Sequence, residues 1–273
     1  VEVPTAVPTE KEIRIGNFIA EHIPDGATLQ IGVGGIPNAV IRALEGHKHL
    51  GLHTEAMTDG VLPLLEKGII DNSQKKVMPG VLPLLEKGII DNSQKKVMPG
   101  VSVASLALGS RRLYDFMNYN KDIIFKDVAW TNNPFIIAQN PKVMSINSCL
   151  EIDLTGQVCA DSIGTRIFSS VGGQHDFVYG SSQSEGGLSF LAMLATTNKG
   201  LNKIKPVLTP GAGVVTTRFQ TNYVVTEYGC VNLRGKNLAE RAKLMISVAA
   251  PEFREELERE AAARFGYSFL RLK

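Results

Sequence analysis

The segment QIGVGGIP, Gln30 to Pro37, sets a glycine-rich turn between an apolar run and a proline-led helix. Backbone N–H groups in such a turn can converge on an anion or an oxyanion, helped by the N-terminus of the helix that follows. A dinucleotide fingerprint is not met. Gly32 and Gly34 fit G-x-G-x-x-G, but the third glycine position holds Pro37, and no acidic residue stands in the required role about 20 residues on. The alternative is a tight turn with no ligand.

Three further segments carry candidate chemistry. HTEAMTDG, His53 to Gly60, follows a short apolar stretch and sets Glu55 at a strand end, where open α/β sheets bind ligands. Taken alone, one glutamate there is more often a solvated loop carboxylate, and His53 alone is more often structural than catalytic. No H-x-x-x-H or Cys/His spacing supplies a metal site. SINSCLEIDLTGQV, Ser145 to Val158, alternates apolar and polar residues up to a turn at Thr155–Gly156. Asn147 could present its amide to a carboxylate or thioester oxygen. Glu151 and Asp153 share a face at period two and read as a wet strand face ahead of an acid/base pair. In GGQHDF, Gly172 to Phe177, a second Gly-Gly turn again exposes N–H groups. His175 and Asp176 are adjacent, and neighbours on a strand point to opposite faces, so they do not read as a dyad. The absence of a G-x-S-x-G elbow and of a G-x-x-x-x-G-K-[ST] loop argues against a serine hydrolase and a P-loop enzyme.

These segments need elements to hold them. Thr9 and Glu12 form a capping box ahead of a helix over about residues 10–23, with Ile13, Ile15, Phe18, Ile19 and Ile23 as its apolar face. Residues 27–33 read as a strand, and Pro37 suits the first turn of a helix that runs to about Gly46. Residues 50–54 read as a short strand, 111–118 as a helix, and 143–153, 189–195 and 222–226 as strands. The C-terminal stretch reads as two helices split at Pro251, with Gly266 as a stop signal. This alternation predicts an α/β fold, an open, mostly parallel sheet with flanking helices.

Composition narrows the class. The 273 residues are 44% hydrophobic and 21% charged, enough for a sizeable core. A net charge of +2 with no Lys/Arg run argues against a nucleic-acid partner. The three lysines of NKGLNKIKP, residues 198–206, read as a solvated turn; the alternative is a site for the acidic phosphates of a cofactor. Cys149, Cys159 and Cys230 form neither a CxxC pair nor a disulfide framework, so a reducing, cytoplasmic setting is expected. No apolar run reaches the ~18 residues of a membrane span, and no membrane partner is expected. The opening VEVPTAVPTEKE has no signal-peptide pattern. Residues 1–9 read as linker from a missing N-terminal domain, and residues 10–273 as one catalytic domain.

Residues 61–80 recur unchanged as residues 81–100. A solenoid needs three or more units. One copy is expected to take the native place and the other to bulge out or pack poorly. Each copy reads as a short helix (Leu62 to Lys67 in the first), a turn at Asp71–Asn72, and a strand ending in Pro-Gly.

Taken in order, DGATLQIGVGGIPNAV, LGLHTEAMTDGVLPLLEKGII, LYDFM, SINSCLEIDLTGQV, VGGQHDFVYG and YVVTEYGCVNLRGKNLAERA resemble the acetyl-CoA hydrolase/transferase family of class I CoA-transferases. Within it, the chain resembles the 4-hydroxybutyrate and butyryl-CoA:acetate CoA-transferases. The resemblance runs from about Val1 to Gly266, interrupted by the extra copy, and corresponds to the C-terminal half of the family's chain. It implies ping-pong transfer of CoA between an acyl-CoA and a short-chain carboxylic acid of the acetate, butyrate or 4-hydroxybutyrate class. Glu55 matches the family's nucleophile, which passes through a mixed anhydride to a glutamyl-CoA thioester. Family contacts to CoA fall on Gln30, Ile31, Gly32, Val33, Gly34 and Gly35, on Leu150, and on Gly172 and Gly173, with Gly173 favoured. Asn147 matches an asparagine that holds the carboxylate or acyl oxygen. CoA is expected as substrate, with no tightly bound cofactor or metal, in an enzyme that is a homo-oligomer at full length. Two other readings stay open: an acyl-CoA hydrolase, and a CoA-binding fragment without activity. The second copy and the missing domain predict weak activity or none for this chain alone.

Overall fold

The computed structural model describes residues 7–58 and 81–271. In chain order its elements are α1 (Glu10–Ala20), β1 (Thr28–Ile31), α2 (Gly35–Ala43), β2 (Gly51–Leu52), β3 (Ala56–Thr58), α3 (Val81–Glu86), β4 (Ser102–Ala104) and β5 (Leu106–Leu108). There follow α4 (Arg111–Met117), β6 (Ile123–Phe125), α5 (Val128–Thr131), α6 (Pro134–Ile137), β7 (Val143–Ser148), β8 (Glu151–Asp153), β9 (Val158–Cys159), β10 (Ser162–Ile163) and β11 (Arg166–Ile167). The remainder is α7 (Gln174–Gln183), β12 (Leu188–Ala192), β13 (Ile204–Lys205), β14 (Tyr223–Thr226), β15 (Gly229–Asn232), α8 (Leu238–Ser247), a 3₁₀ turn at Pro251–Phe253, α9 (Arg254–Phe265) and α10 (Tyr267–Leu270).

The main sheet has the order β15-β14-β12-β7-β1-β2. Its pairings are parallel except for the β14–β15 hairpin at one edge, as the alternation of strand and helix predicts. Side-chain alternation along the strands divides the core. Leu29 and Ile31, Met144 and Ile146, Phe190 and Ala192, and Val225 join Ile15 and Ile19 of α1, Val40 and Ile41 of α2, and Val81, Leu82 and Leu84 of α3. The alternate residues Leu191, Met193 and Val224 meet Ala242, Met245 and Ile246 of α8 and Leu257 and Ala261 of α9. On β1 and β7 the alternate positions include the polar Gln30, Ser145 and Asn147, all buried.

The local signals act as read. Thr9 and Glu12 make both capping-box hydrogen bonds, and Gly266 ends α9 at φ 56°. Residues 143–153 are not one strand. Leu150 N–H turns to the Cys159 carbonyl at 2.9 Å, so the chain leaves the main sheet after β7 and β8 joins β13 and β9 in a small one.

The second copy of the duplicated segment is packed into the core through α3. The first copy, and with it the helix and turn expected there, lies outside the described residues. The strand expected to end at Pro99–Gly100 is a series of turns. Side chains do its work along the open edge of β2. Asn92 Oδ1 accepts from Leu52 N at 2.8 Å, and Lys95 Nζ donates to the Leu52 carbonyl at 2.9 Å.

Candidate active site

Beyond β2 the chain stays extended: His53 N–H reaches the Leu29 carbonyl at 3.0 Å and Thr54 N–H the Val103 carbonyl at 3.0 Å. Thr54 Oγ1 bonds the Ile31 N–H at 3.3 Å and the Ile31 carbonyl at 3.2 Å. The base of the first glycine loop is thereby tied to the residue before Glu55. The Glu55 carbonyl accepts from Ser105 N at 2.9 Å and Leu106 N at 3.0 Å, which fixes the backbone at the C-terminal side of the parallel strands.

The Glu55 side chain is half-buried. Asn132 Nδ2 donates to its Oε2 at 2.7 Å. Gly173, the N-cap of α7, lies against the same pair: a Cβ there would collide with Glu55 Oε2 and Asn132 Nδ2. Three distant segments thus meet at one carboxylate, and the α7 N-terminus comes this close because residue 173 has no side chain. Asp176 stands in the first turn of α7. Burial pushes its carboxyl up, the Glu55 charge pushes the same way, and His175 opposes.

His53 is buried, with Nε2 at 2.8 Å from the Thr131 carbonyl. Its ring stacks on Trp130 and meets Phe177 edge-on, at centroid distances of 5.7 and 6.1 Å. Burial pushes its pKa down to about 4, with the Thr131 bond opposing and Lys95 assisting, so the ring is neutral at pH 7.

Asn147 lies elsewhere in the hydrogen-bond pattern. Its Nδ2 donates to Gln30 Oε1 and Ser145 Oγ, both at 2.9 Å, and Gln30 Nε2 returns a bond to Asn147 Oδ1 at 3.2 Å. These bonds build a buried polar seam across β1 and β7; the asparagine on Glu55 is Asn132. In the glycine loop, Gly32 N–H is used by the Ile146 carbonyl at 2.9 Å. Val33 and Gly34 are exposed, Gly34 has φ 134°, and α2 starts at Gly35. Gly172 is exposed at φ 61°.

A cavity of about 580 Å³ opens beyond the ends of β7 and β12, lined by Ser148, Leu150, Asn198, Lys203, Lys205 and Thr209 among others. Lys203 is not a solvated turn residue. It is half-buried, Nζ donates to the Cys149 carbonyl at 3.2 Å, and burial chiefly lowers its pKa. Burial pushes the Cys149 thiol up to about 12, which keeps it protonated. Among the described residues, no group of three His, Cys, Asp or Glu side chains is placed to hold a metal.

Residues 109–261 match the model of the acetyl-CoA hydrolase/transferase C-terminal domain. The chain belongs to the acetyl-CoA hydrolase/transferase family. It is 46% identical over 259 residues to a succinyl-CoA:acetate/propanoyl-CoA:succinate CoA transferase of Fasciola hepatica, covering 94% of this chain and 50% of that one. It is 42% identical over 255 residues to a 4-hydroxybutyrate coenzyme A transferase of Clostridium kluyveri, covering 93% and 55%. The crystal structure of a 4-hydroxybutyrate CoA-transferase from Porphyromonas gingivalis superposes with a TM-score of 0.79 at 42% identity, over 97% of this chain and 58% of that one. The chain spans about half the length of the curated relatives it matches.

This member of the family carries three site features that its motifs do not announce. Asn132 sits in TNNPF, where Asn133 caps α6 through Phe135 N at 2.9 Å; the Asn-Asn-Pro turn was the available signal. His175 and Asp176 are on a helix, not a strand, so the opposite-faces argument does not apply to them. Glu151 and Asp153 are buried rather than wet. Glu151 accepts from Thr209 N and Oγ1 at 2.7 and 2.8 Å, and Asp153 Oδ1 from Thr155 N and Gln157 N at 2.8 and 3.0 Å. These carboxylates hold turns.

Proposed function

We propose that this chain is the nucleophile-bearing half of a CoA-transferase, and that Glu55 is the nucleophile. The supporting observation is the surroundings of its carboxylate. Asn132 holds Oε2 at 2.7 Å, and the Gly173 backbone packs against the same atom. With Oε2 held, Oε1 is the oxygen presented to an acyl carbon.

The chemistry follows from a positioned carboxylate. Oε1 adds to the thioester carbonyl carbon, the C–S bond breaks, and CoA leaves as a thiolate from an acyl-glutamyl anhydride. The thiolate then adds to the Glu55 carbonyl carbon. The anhydride C–O bond breaks, the original acyl group leaves as a free carboxylate, and Glu55 carries CoA as a thioester. An acceptor carboxylate runs the steps in reverse. Each tetrahedral adduct bears an oxyanion, and removing one well-aimed donor to such a charge costs about 10²–10³ in rate. When the thiolate adds to the Glu55 carbonyl carbon, the charge develops on Oε2, the oxygen to which the Asn132 amide donates and beside which α7 begins at Gly173.

In this reading CoA contacts Gln30, Ile31, Gly32, Val33, Gly34 and Gly35, Leu150, and Gly172 or Gly173. The Thr54–Ile31 bonds support the proximity of the glycine loop to Glu55. Leu150 shares its cavity with Lys203 and Lys205, beside Glu12 and Glu151, and the two lysines suit the phosphates of CoA. The acids and acyl-CoAs named for the relatives make the acceptor a small carboxylic acid. The whole enzyme carries a further domain and is a homo-oligomer, so the present chain turns over weakly or not at all, and single-turnover labelling is the appropriate assay.

The test is to incubate the chain with acetyl-CoA, reduce with borohydride and map the product by mass spectrometry. Modification at Glu55 that is absent from Glu55→Gln supports the reading; a folded, unmodified chain sinks it. Passage of label from added isotopic acetate into acetyl-CoA, with no free CoA thiol released, marks a transferase; release of free CoA in water without an acceptor acid marks a hydrolase.

A further inference from the structure

The geometry points to His53 as a positioning residue that fixes the Asn132 amide on Glu55 by holding the Thr131 carbonyl. This rests on the reading of Glu55 as nucleophile. His53 and Glu55 are two residues apart on one extended segment, and Thr131 and Asn132 are adjacent at the end of α5. The two segments touch twice. His53 Nε2 meets the Thr131 carbonyl at 2.8 Å, and Asn132 Nδ2 meets Glu55 Oε2 at 2.7 Å. With the second contact alone, Asn132 could pivot about Glu55. With both, its backbone is held as well.

Such a hold is needed. Helix α5 has four residues, Val128–Thr131, too few to be stable without tertiary contacts. Asn132 is its C-cap, and Val128 is 49% exposed. The His53 ring is the buried body against which this turn rests. It stacks on Trp130 of α5 and abuts Phe177 of α7, the helix that carries Gly173 at its N-cap. His53 therefore touches both elements that reach the Glu55 carboxylate.

The imidazole is fitted to hold rather than to shuttle protons. A carbonyl accepts, so Nε2 must carry the hydrogen. Nδ1 is buried without a hydrogen-bond partner, and the depressed pKa keeps the ring neutral. Its one N–H is spent on Thr131.

Three forms of the 273-residue chain separate this role from packing. His53→Phe keeps the ring and its stacking but removes the N–H. His53→Gln restores a donor at nearly the same reach. The first readout is the Asn132 side-chain amide in a ¹H–¹⁵N spectrum, assigned by its loss in Asn132→Asp. The second is the single-turnover rate of Glu55 labelling by acetyl-CoA. In His53→Phe the Asn132 signals should move to free-amide positions and labelling should slow about 10- to 100-fold, with the half-saturating acetyl-CoA concentration unchanged. In His53→Gln both should return to within about threefold of the parent. A folded His53→Phe with parental Asn132 signals and rate overturns the proposal and leaves His53 a packing residue. Movement of the Asn132 signals to free-amide positions in His53→Phe, in a protein whose parent is never labelled at Glu55, supports the positioning role and removes the nucleophile reading instead. Should His53→Phe not fold, His53→Asn, whose amide falls short of Thr131, takes its place with the same expected outcomes.

Discussion

Asn132 donates to Glu55 across 77 residues of sequence, Nδ2 to Oε2 at 2.7 Å. A hydrogen bond to a charged group contributes about 1.5–3 kcal/mol. Asn132→Ala should therefore slow Glu55 labelling by acetyl-CoA about 100-fold, where that energy and the loss of an oxyanion donor agree, since about 1.4 kcal/mol is a factor of ten. Asn132→Asp should be slower still, because a second carboxylate would face the first. Stopped single-turnover reactions read by mass spectrometry check both. Equal rates for Asn132→Ala and the parent would remove Asn132 from the site.

Gly172 and Gly173 make a paired test. Gly173 has φ −85°, which alanine adopts freely, but its Cβ would collide with Glu55 Oε2 and Asn132 Nδ2. Gly173→Ala should keep the fold and cut labelling about 100-fold by displacing the carboxylate. Gly172 has φ 61° and open space around it. Gly172→Ala should cost about 1–2 kcal/mol in stability from left-handed strain, and should slow labelling far less than Gly173→Ala, because its Cβ meets neither Glu55 nor Asn132. Urea midpoints beside labelling rates separate the two, and identical behaviour of the two variants would contradict this geometry.

The sheet was readable because its strands are apolar runs bounded by Gly and Pro, and because α1 announces its start with Thr9 and Glu12. The surroundings of Glu55 were not readable, because Asn132 and Gly173 reach it through tertiary packing that no local spacing encodes. Helix α7 was hidden by its composition. QHDFVYGSSQ has a weak helical pattern, and Gly180 is needed where a Cβ would collide with Ile137. Period-two alternation put Glu151 and Asp153 on a wet face, which failed because Thr209, Thr155 and Gln157 satisfy both carboxylates inside. The pairing of Asn147 with Gln30 was not readable, because it depends on the register of β1 against β7.

Acid should expose the burial of His53. Its pKa is lowered from 6.5 to about 4. Between those values the unfolded chain binds the proton and the folded chain does not, so the unfolded state gains as pH falls. The contribution is complete above pH 6.5, declines as pH drops, and is exhausted below about 4; its full span is on the order of 3 kcal/mol. Carboxylates add their own slope in this window, so the comparison is with His53→Gln. Urea midpoints at pH 7.5 and 4.5 should differ less in that variant than in the parent. Lys95, lowered by burial from 10.5 to about 7, obeys the same sign in a higher window. Stability should rise further between pH 7 and 10, and Lys95→Met should abolish that rise.

The duplicated segment gives a direct test of what the core needs. Deleting residues 61–80 joins Gly60 to Val81 and keeps each contact of residues 81–100. Asn92 still holds Leu52 N and Lys95 the Leu52 carbonyl, and Val81, Leu82 and Leu84 stay in the core. Because the copies are identical, deleting 81–100 instead yields the same polypeptide. The change falls on the connection between Thr58 and Val81, which shortens by twenty residues. Where the removed residues make no contacts, loop closure entropy, which grows as the logarithm of length, sets the gain on the order of 1–2 kcal/mol. For a chain of this size that raises the melting temperature by roughly 2–8 °C. Labelling at Glu55 should be at least as fast, since β3 follows Glu55 directly and its path to α3 becomes shorter. Calorimetry of the two chains decides the matter. A lower melting temperature after deletion would mean that residues 61–80 supply contacts of their own, and that 81–100 alone does not complete the core.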